Sequence, residues 1–227
     1  MAGRPASGVP PAPSARTRVR RLADHAAYDR ATIAAILDAM PVAHVGYVVD
    51  GAPVVTPTIQ WREGERIFWH GSSASRMLRR AAGAPVCVTV TLTEGMSLAR
   101  SGLEHTVHYR SVMLFGTATA VTDPAAKAAH LKAFMDRHFP GRWESLRPMT
   151  AQELKATAIL SMPVAEASAK LSGGLPGDPA PDLSWPVWAG TVPIRLVTGA
   201  PVPDPRMDPA IPLPGYLRDY DFTRTGR

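Results

Sequence analysis

The sequence has one cysteine, no long apolar run and almost no net charge after the first residues. Each of these features excludes some classes of protein. Cys87 is the only cysteine among 227 residues, which excludes an intrachain disulfide and a thiolate metal cluster. No stretch approaches the ~18 consecutive apolar residues of a membrane span, and the N-terminus lacks the apolar core of a secretory signal. We therefore expect a cytoplasmic protein that has no membrane partner.

The net charge of +6 comes from one end of the chain. Residues 1–21 contain five arginines and no acidic residue, and the remaining residues 22–227 hold 20 basic against 19 acidic side chains. That remainder shows no interleaving of basic and aromatic residues of the kind that binds nucleic-acid strands. We predict no nucleic-acid partner, a disordered basic leader over residues 1–21, and a single domain over residues 22–227.

The chain contains 23 prolines, and their distribution separates a part with helix and strand patterns from a proline-rich end. Helix and strand patterns end near Ser172, and residues 172–227 are rich in Pro, Gly and Trp. A long extended coil contributes little to a domain by itself, because it makes few contacts of its own. We expect this segment to wrap the surface of the domain or that of a dimer partner.

The rest of the pattern is mainly that of β-strands. Asp50-Gly51 separates VAHVGYVV from PVVTPTIQW, and this dipeptide supplies the positive φ angles of a two-residue hairpin turn. Pro53 and Pro57 interrupt the second strand. Because proline cannot donate a ladder hydrogen bond, this strand is either irregular or directs part of its backbone toward something other than a strand, such as a ligand.

Helices are predicted beside the strands. Asp29 is a suitable N-cap for a helix that ends at about Met40. A short helix carries Arg76, and Asp123-Pro124 begins a longer one, since proline is favoured at the first helical position. The predicted fold class is therefore mainly β with flanking helices.

The segment GSSASR before the short helix has the groups of a phosphate site. Ser72 and Ser75 offer hydroxyl groups, and the guanidinium of Arg76 matches the geometry of phosphate oxygens. From spacing alone, a serine cap followed by solvated arginines is the more ordinary interpretation. The segment matches neither a Walker loop nor the glycine motif of dinucleotide-binding proteins.

The sequence resembles the pyridoxamine 5'-phosphate oxidase-like, FMN-binding split-barrel proteins over residues 28–214. The resemblance is carried by VAHVGYVVDGAPVVTPTIQWREGERIFWHGSSASRML, by HYRSVMLFGTATAV, and by the later KLSGGLPGD and PVWAGTVPI. Within the family, the sequence is similar to the flavin-nucleotide-binding group that includes nitroimidazole-resistance proteins. The resemblance implies a split β-barrel that forms a homodimer and binds FMN.

The resemblance also implies which residues bind the cofactor. In this family the strand after the first hairpin turn lies against the flavin ring, and the next strand and helix border the ribityl chain and the phosphate. Arg76 becomes the phosphate anchor, and Ser111 reaches the cofactor, commonly from the other subunit. The implied cofactor-binding residues are Val55, Thr56, Pro57, Thr58, Trp69, His70, Ser72, Ser75, Arg76 and Ser111.

Two departures from the family pattern argue against vitamin B6 oxidation. Met77 stands where oxidase members often have a lysine, and their C-terminal arginine-and-histidine substrate motif is missing. We therefore expect an FMN-dependent oxidoreductase that acts on a small planar or nitroaromatic substrate, with the flavin carrying the hydride and no catalytic side chain.

Two alternatives remain open at this stage. One is a flavin-binding or flavin-storing module without turnover. The other places haem on a similar barrel, with a histidine as the axial ligand. No metal-ion site is predicted, because His105 and His108 are three residues apart and face opposite sides of a strand.

Overall fold

The computed structural model describes residues 10–222. Its α-helices are α1 (Arg30–Ala39), α2 (Arg76–Ala81), α3 (Pro124–His138) and α4 (Ala151–Ala156). Its strands are β1 (Ala26–Ala27), β2 (Val42–Val49), β3 (Ala52–Glu63), β4 (Arg66–Ser72), β5 (Pro85–Leu98), β6 (Thr106–Thr117), β7 (Thr119–Val121), β8 (Thr157–Pro163), β9 (Ala167–Ser172) and β10 (Gly190–Pro193). Among these residues, no helix is long and apolar enough to cross a membrane.

The strands form one antiparallel sheet in the order β1-β9-β6-β5-β2-β3-β4-β8-β7, with β10 added beside β5. Strands from both halves of this order supply one core, because Val112 on β6, Val88 on β5 and Leu160 on β8 belong to the same buried cluster. The sheet therefore curls around its core. The predicted mainly β fold with flanking helices is confirmed.

The first hairpin forms as predicted. Asp50 and Gly51 have φ angles of 50° and 81°, as a tight turn of this type requires. Asp29 caps α1, because its side chain accepts a hydrogen bond from the Thr32 amide at 2.8 Å. Asp123 caps α3 in the same way, with Pro124 at the first helical position.

Strand β3 is regular in spite of its two prolines. All of its residues from Ala52 to Ile59 pair with β2, with Pro57 opposite His44. On the other edge, pairing with β4 begins only at Gln60. The edge of residues 52–59 that faces away from β2 therefore has no strand partner among residues 10–222, which is the position where prolines are tolerated.

The direction of the β3 amides follows from one hydrogen bond. The Gln60 amide donates to the Pro41 carbonyl at 2.7 Å, on the β2 side. Amide directions alternate along a strand, so the even-numbered amides of β3 face β2 and the odd-numbered ones face the free edge. Pro53 and Pro57 thus have their nitrogens at that edge. The amides of Val55 and Ile59 also face it.

A second, smaller apolar cluster lies between the sheet and α3. It contains Trp61, Phe68, Phe134 and Ile159. The ring centroids of Trp61 and Phe134 are 5.2 Å apart, and those of Trp61 and Phe68 are 5.7 Å apart. This aromatic packing fixes α3 over β3 and β4.

Both ends of the described chain contact the barrel. The Ser14 hydroxyl donates to the Glu166 carboxylate at 2.6 Å, and Thr17 is buried. At the other end, the Ile194 amide donates to the Glu94 carbonyl at 3.0 Å, immediately after β10. Residues 1–9 of the predicted leader lie outside the described residues.

We predict that Gln60→Leu lowers the free energy of unfolding by about 2 kcal/mol. Gln60 is 1% exposed, and its Nε2 donates to the carbonyls of Leu37 and Met40 at 2.6 and 2.7 Å. The substitution leaves both carbonyls at the end of α1 without this donor. Urea denaturation measures the change, and Gln152→Leu at an exposed position is the control. Equal stability of the two variants would contradict the assigned role.

Candidate functional site

The free edge of β3 and the end of β4 make up the candidate site. Val55 is 65% exposed and Pro57 is also exposed, although both lie in the middle of the sheet. Backbone amides and carbonyls at such an edge are strong hydrogen-bonding groups without a protein partner. A flat ligand with polar edges can bind there.

A serine corner connects β4 to α2 next to this edge. The Ser75 amide donates to the Ser72 carbonyl at 2.9 Å, and the Ser73 amide donates to the Ala156 carbonyl of α4 at 2.7 Å. Ser75 occupies the N-cap position but makes no side-chain capping bond. Its hydroxyl is therefore not engaged in capping α2, in contrast to the ordinary interpretation of the sequence.

Helix α2 presents arginines outward from this corner. Met77, Leu78 and Ala81 are buried and attach the helix to the core. Arg76 and Arg79 are exposed, and neither makes an ion pair with another residue in the range 10–222. The predicted phosphate anchor, Arg76, therefore lies at the start of the helix that follows β4, and its guanidinium has no ion-pair partner among residues 10–222.

His70 lies on the outer side of β4, at the margin of the aromatic cluster. Its ring is 5.7 Å from that of Trp61 and 5.1 Å from that of Phe134. No described residue forms a hydrogen bond with the ring, and its Nδ1 is buried. Burial lowers the pKa of His70. The imidazole is thus neutral at pH 7, which is the form that ligates metals.

The remaining predicted residues lie in different surroundings. Trp69 is fully buried in the main core, so only its backbone can approach a ligand. The Thr56 hydroxyl is 3.2 Å from the Tyr47 hydroxyl, inside the barrel, and that of Thr58 is directed to the Ile59 carbonyl at 3.5 Å. Along the chain, the end of β4 and the start of α2 carry His70, Ser72, Ser75 and Arg76, and Val55 and Pro57 lie on the neighbouring strand β3.

Ser111 is separated from this group within one chain. It lies on β6 between Thr91 of β5 and Lys170 of β9, and β2 and β5 lie between it and β3. A cavity of about 550 Å³ begins beside it, lined by Thr91, Arg110 and Arg195 among others. Within one chain, Ser111 is therefore three places away from β3 in the strand order of the sheet.

The sequence analysis did not predict two residues of this surface. His44 is exposed opposite Pro57, with no hydrogen-bond partner for its ring among the described residues. Arg79 lies one turn after Arg76 on α2. The alternation of VAHVGYVV does place His44 with the outward residues, whereas the side of α2 on which Arg79 lies depends on tertiary packing.

His138, the last residue of α3, packs against the aromatic cluster. It is 3% exposed, its ring is 4.9 Å from that of Phe134, and its Nε2 is buried without a hydrogen bond. Burial, with a smaller contribution from the Arg137 guanidinium, lowers the pKa of His138 to about 4. The folded protein therefore holds this histidine neutral.

Comparisons with known proteins identify the class. The family model described as pyridoxamine 5'-phosphate oxidase matches residues 29–171. The flavocytochrome Anf3 from Azotobacter vinelandii is 47% identical, with a TM-score of 0.90 over 93% of this chain and 99% of that one. The FAD and heme binding protein from Mycobacterium smegmatis is 38% identical, with a TM-score of 0.83 over 87% and 97% of the chains.

A candidate 5-nitroimidazole antibiotic resistance protein from Bacteroides thetaiotaomicron has the same fold at 20% identity. Its TM-score is 0.53, over 64% of this chain and 85% of that one. No curated protein matches the sequence.

The fold is thus that of the split-barrel flavoproteins, as the sequence predicted. This chain belongs to the pyridoxamine 5'-phosphate oxidase family.

We predict that protonation of His138 destabilises the fold in acid. A histidine has a pKa of about 6.5 when unfolded, so below that pH the unfolded chain binds a proton that the folded chain binds only near pH 4. The free energy of unfolding therefore falls by up to about 3 kcal/mol between pH 7 and pH 4 through this group.

Chemical denaturation of wild type and His138→Gln at several pH values tests this expectation. The variant should lose that part of the pH dependence, whereas His105→Gln, at an exposed position, should keep it. An identical pH dependence in wild type and His138→Gln would show that His138 is not the titrating group.

Proposed function

We propose that the protein binds a flavin, with its FMN portion placed on the free edge of β3 and its phosphate at the serine corner. The observation that carries this proposal is the edge of β3 that has no strand partner among residues 10–222. Arg76, at the start of the helix that follows β4, has no ion-pair partner in the same range. The two relatives described as a flavocytochrome and as an FAD and heme binding protein support it.

The chemistry of the corner suits a phosphate. Ser72 and Ser75 offer hydroxyl donors, and Arg76 offers a planar fork of N–H donors. Helix α2 has only six residues, so its side chains rather than its dipole supply the positive charge. The phosphate group would replace water around an arginine that has no protein partner.

The free edge suits the flavin ring. The amides of Val55 and Ile59 face that edge, and the exposed side chains of Val55 and Pro57 form an apolar surface beside them. An isoalloxazine ring has polar atoms at one end and apolar faces. The edge therefore orients the ring, and the adjoining apolar surface limits access of water to it.

The protein also has a residue suited to a haem iron. The His70 imidazole is neutral and packs against two aromatic rings, and it makes no hydrogen bond with any residue from 10 to 222. Iron in haem proteins commonly takes such a histidine as an axial ligand. We assign His70 as the ligand of a haem in this protein, by analogy with the two relatives named for that cofactor type.

With both groups bound, the flavin and the haem supply the redox chemistry. The chain's own residues hold and orient these groups, and none of them is placed as an acid or base. We propose an oxidoreductase on this basis. A flavin store without turnover remains the second candidate, favoured by the absence of an acid–base pair among the described residues of the site.

We propose a homodimer as the active form. The outward face of the sheet carries exposed apolar residues, and the C-terminal segment carries two exposed tryptophans; these residues are Val42, Val48, Val55, Met113, Trp185 and Trp188. Covering such a patch is a common reason for association. A second copy would also bring its Ser111 toward the ligand at β3.

We predict that Arg76→Ala lowers flavin affinity about ten- to a hundredfold. One charge-assisted phosphate contact is worth about 1.5–3 kcal/mol, and 1.4 kcal/mol is tenfold. Titration of flavin-free protein with FMN, followed by fluorescence quenching, measures the change. Arg80→Ala is the control, since Arg80 lies on the same helix but faces Asp50 at 3.8 Å.

Unchanged affinity in Arg76→Ala would refute the anchor role. A wild-type protein that binds neither FMN nor FAD would refute the flavin assignment itself.

We predict that His70→Ala loses the axial ligand of the haem. The wild-type protein, titrated with hemin, should develop a Soret band, and the variant should bind hemin more weakly with a shifted band. His44→Ala is the matched control, because its ring is also free of hydrogen bonds and lies on the same sheet. A band that changes only in His44→Ala would transfer the role to that residue, and no band in wild type would exclude haem.

A further inference from the structure

We propose that the cavity beside β5 binds a small organic acid with an apolar body. The residues that line it belong to α1, β5, β6 and the C-terminal segment, and none of those in the described part of the chain belongs to β3. In the strand order, β2 separates β5 from β3. The proposal therefore adds a second ligand site to the protein, and it does not depend on the flavin.

A gap in the sheet lies on one side of β5. On that side β2 pairs with residues 87–89 and β10 pairs with residues 95–98. One further bond, from the Ile194 amide to the Glu94 carbonyl at 3.0 Å, extends the pairing with the C-terminal segment. Residues 90–93 therefore have β6 on one side and, within the described chain, no strand on the other. Backbone groups at such a gap are strong hydrogen-bonding groups that a ligand can use.

The cavity occupies this gap. Its volume of about 550 Å³ falls within the range of roughly 300–1,000 Å³ that is typical of small-molecule sites. The end of α1, β5 and the segment after β10 each contribute to an apolar wall. This wall consists of Met40, Leu92, Ile194, Leu196 and Val197. A ligand with an apolar body can therefore bury that body here.

A β-bulge brings an ion pair to the cavity. The register of β5 against β6 shifts between Thr93 and Gly95, so Glu94 is an extra residue on β5. Its carboxylate accepts a hydrogen bond from Arg110 Nε at 2.7 Å, and both residues line the cavity. Bulges redirect side chains and are frequent beside active sites. Because the two charges compensate each other, this pair does not decide the charge of the ligand.

Arg195 decides the charge of the ligand. It lines the cavity and makes neither an ion pair nor a hydrogen bond with any residue from 10 to 222, whereas Asp221, the other charged lining residue, already has an interaction partner. A guanidinium fork matches the two oxygens of a carboxylate. Thr91 and Thr93 are exposed at the same cavity and add hydroxyl donors. The ligand is therefore an acid whose carboxylate meets Arg195 and whose apolar body lies against the wall.

Binding of naphthoate and of its neutral counterpart naphthamide tests this inference. Both probes are titrated by calorimetry into the full-length wild type, Arg195→Met and Arg20→Met. Wild type should bind the carboxylate at least about tenfold more tightly than the amide, because only the carboxylate forms a charge-assisted pair. Arg195→Met should lose that preference. Arg20→Met should keep it, since Arg20 is also exposed but does not line the cavity.

A cavity-filling variant tests the location of the site. Leu196 lines the cavity and is 55% exposed, so Leu196→Trp reduces the volume without disturbing the core. It should weaken both probes at least about tenfold, with an unchanged circular dichroism spectrum.

The outcomes separate this inference from the proposed function. Equal affinities of the two probes for wild type, or a preference that survives in Arg195→Met, overturn the inference. Unchanged binding of both probes by Leu196→Trp does so as well, and so does displacement of naphthoate by FMN, which would place the probe in the flavin site. Protein that binds no flavin but keeps the preference for naphthoate contradicts the proposed function alone and supports the second site.

Discussion

The free edge of β3 is the constraint on which the rest of the site depends. The Gln60 amide points toward β2, and Pro53 and Pro57 are separated from it by an odd number of residues, so their nitrogens point away from β2. Both prolines can therefore pair with β2, because a proline nitrogen has no hydrogen to donate. A second strand could not complete its ladder against Pro53 and Pro57. The sheet therefore stays open between β3 and β4 up to Gln60, and the amides of Val55 and Ile59 have no strand partner among residues 10–222.

Different parts of the fold position the polar side chains near this edge. The aromatic cluster under α3 fixes the ring of His70 and holds it neutral. The buried side of α2 turns Arg76 and Arg79 outward. The buried side chains of α2 belong to the main core, whereas Arg76 and Arg79 themselves are exposed. Such unpaired polar groups on a rigid scaffold are typical of binding sites.

Local signals in the sequence predicted much of this structure. Asp50-Gly51 fixes its own turn through its φ angles, and Asp29 and Asp123 cap helices through bonds to residues three positions away. The prolines predicted either an irregular strand or one with an edge that faces something other than a strand, and among residues 10–222 the second is found. These features are readable because their physical cause lies within a few residues.

Features that depend on pairing between residues far apart in the sequence could not be predicted in this way. Trp69 and His70 are adjacent in sequence, but Trp69 is buried in the main core and His70 faces α3, which only the register with β3 and β8 decides. Which arginine of α2 has an acidic neighbour depends on where Asp50 lies, and it lies 3.8 Å from Arg80. The haem assignment likewise needed the environment of His70 and the two relatives, whereas the sequence alone favoured FMN without haem.

Hydrogen exchange at the β3 amides tests the central claim most directly. The account predicts that saturation with flavin slows exchange at Val55 and Ile59 at least about tenfold, because these amides face the free edge and gain a hydrogen-bond acceptor or lose contact with water. Exchange at Val54, which faces β2, should change little. Flavin binding that leaves Val55 and Ile59 unprotected would contradict the placement of the flavin at this edge.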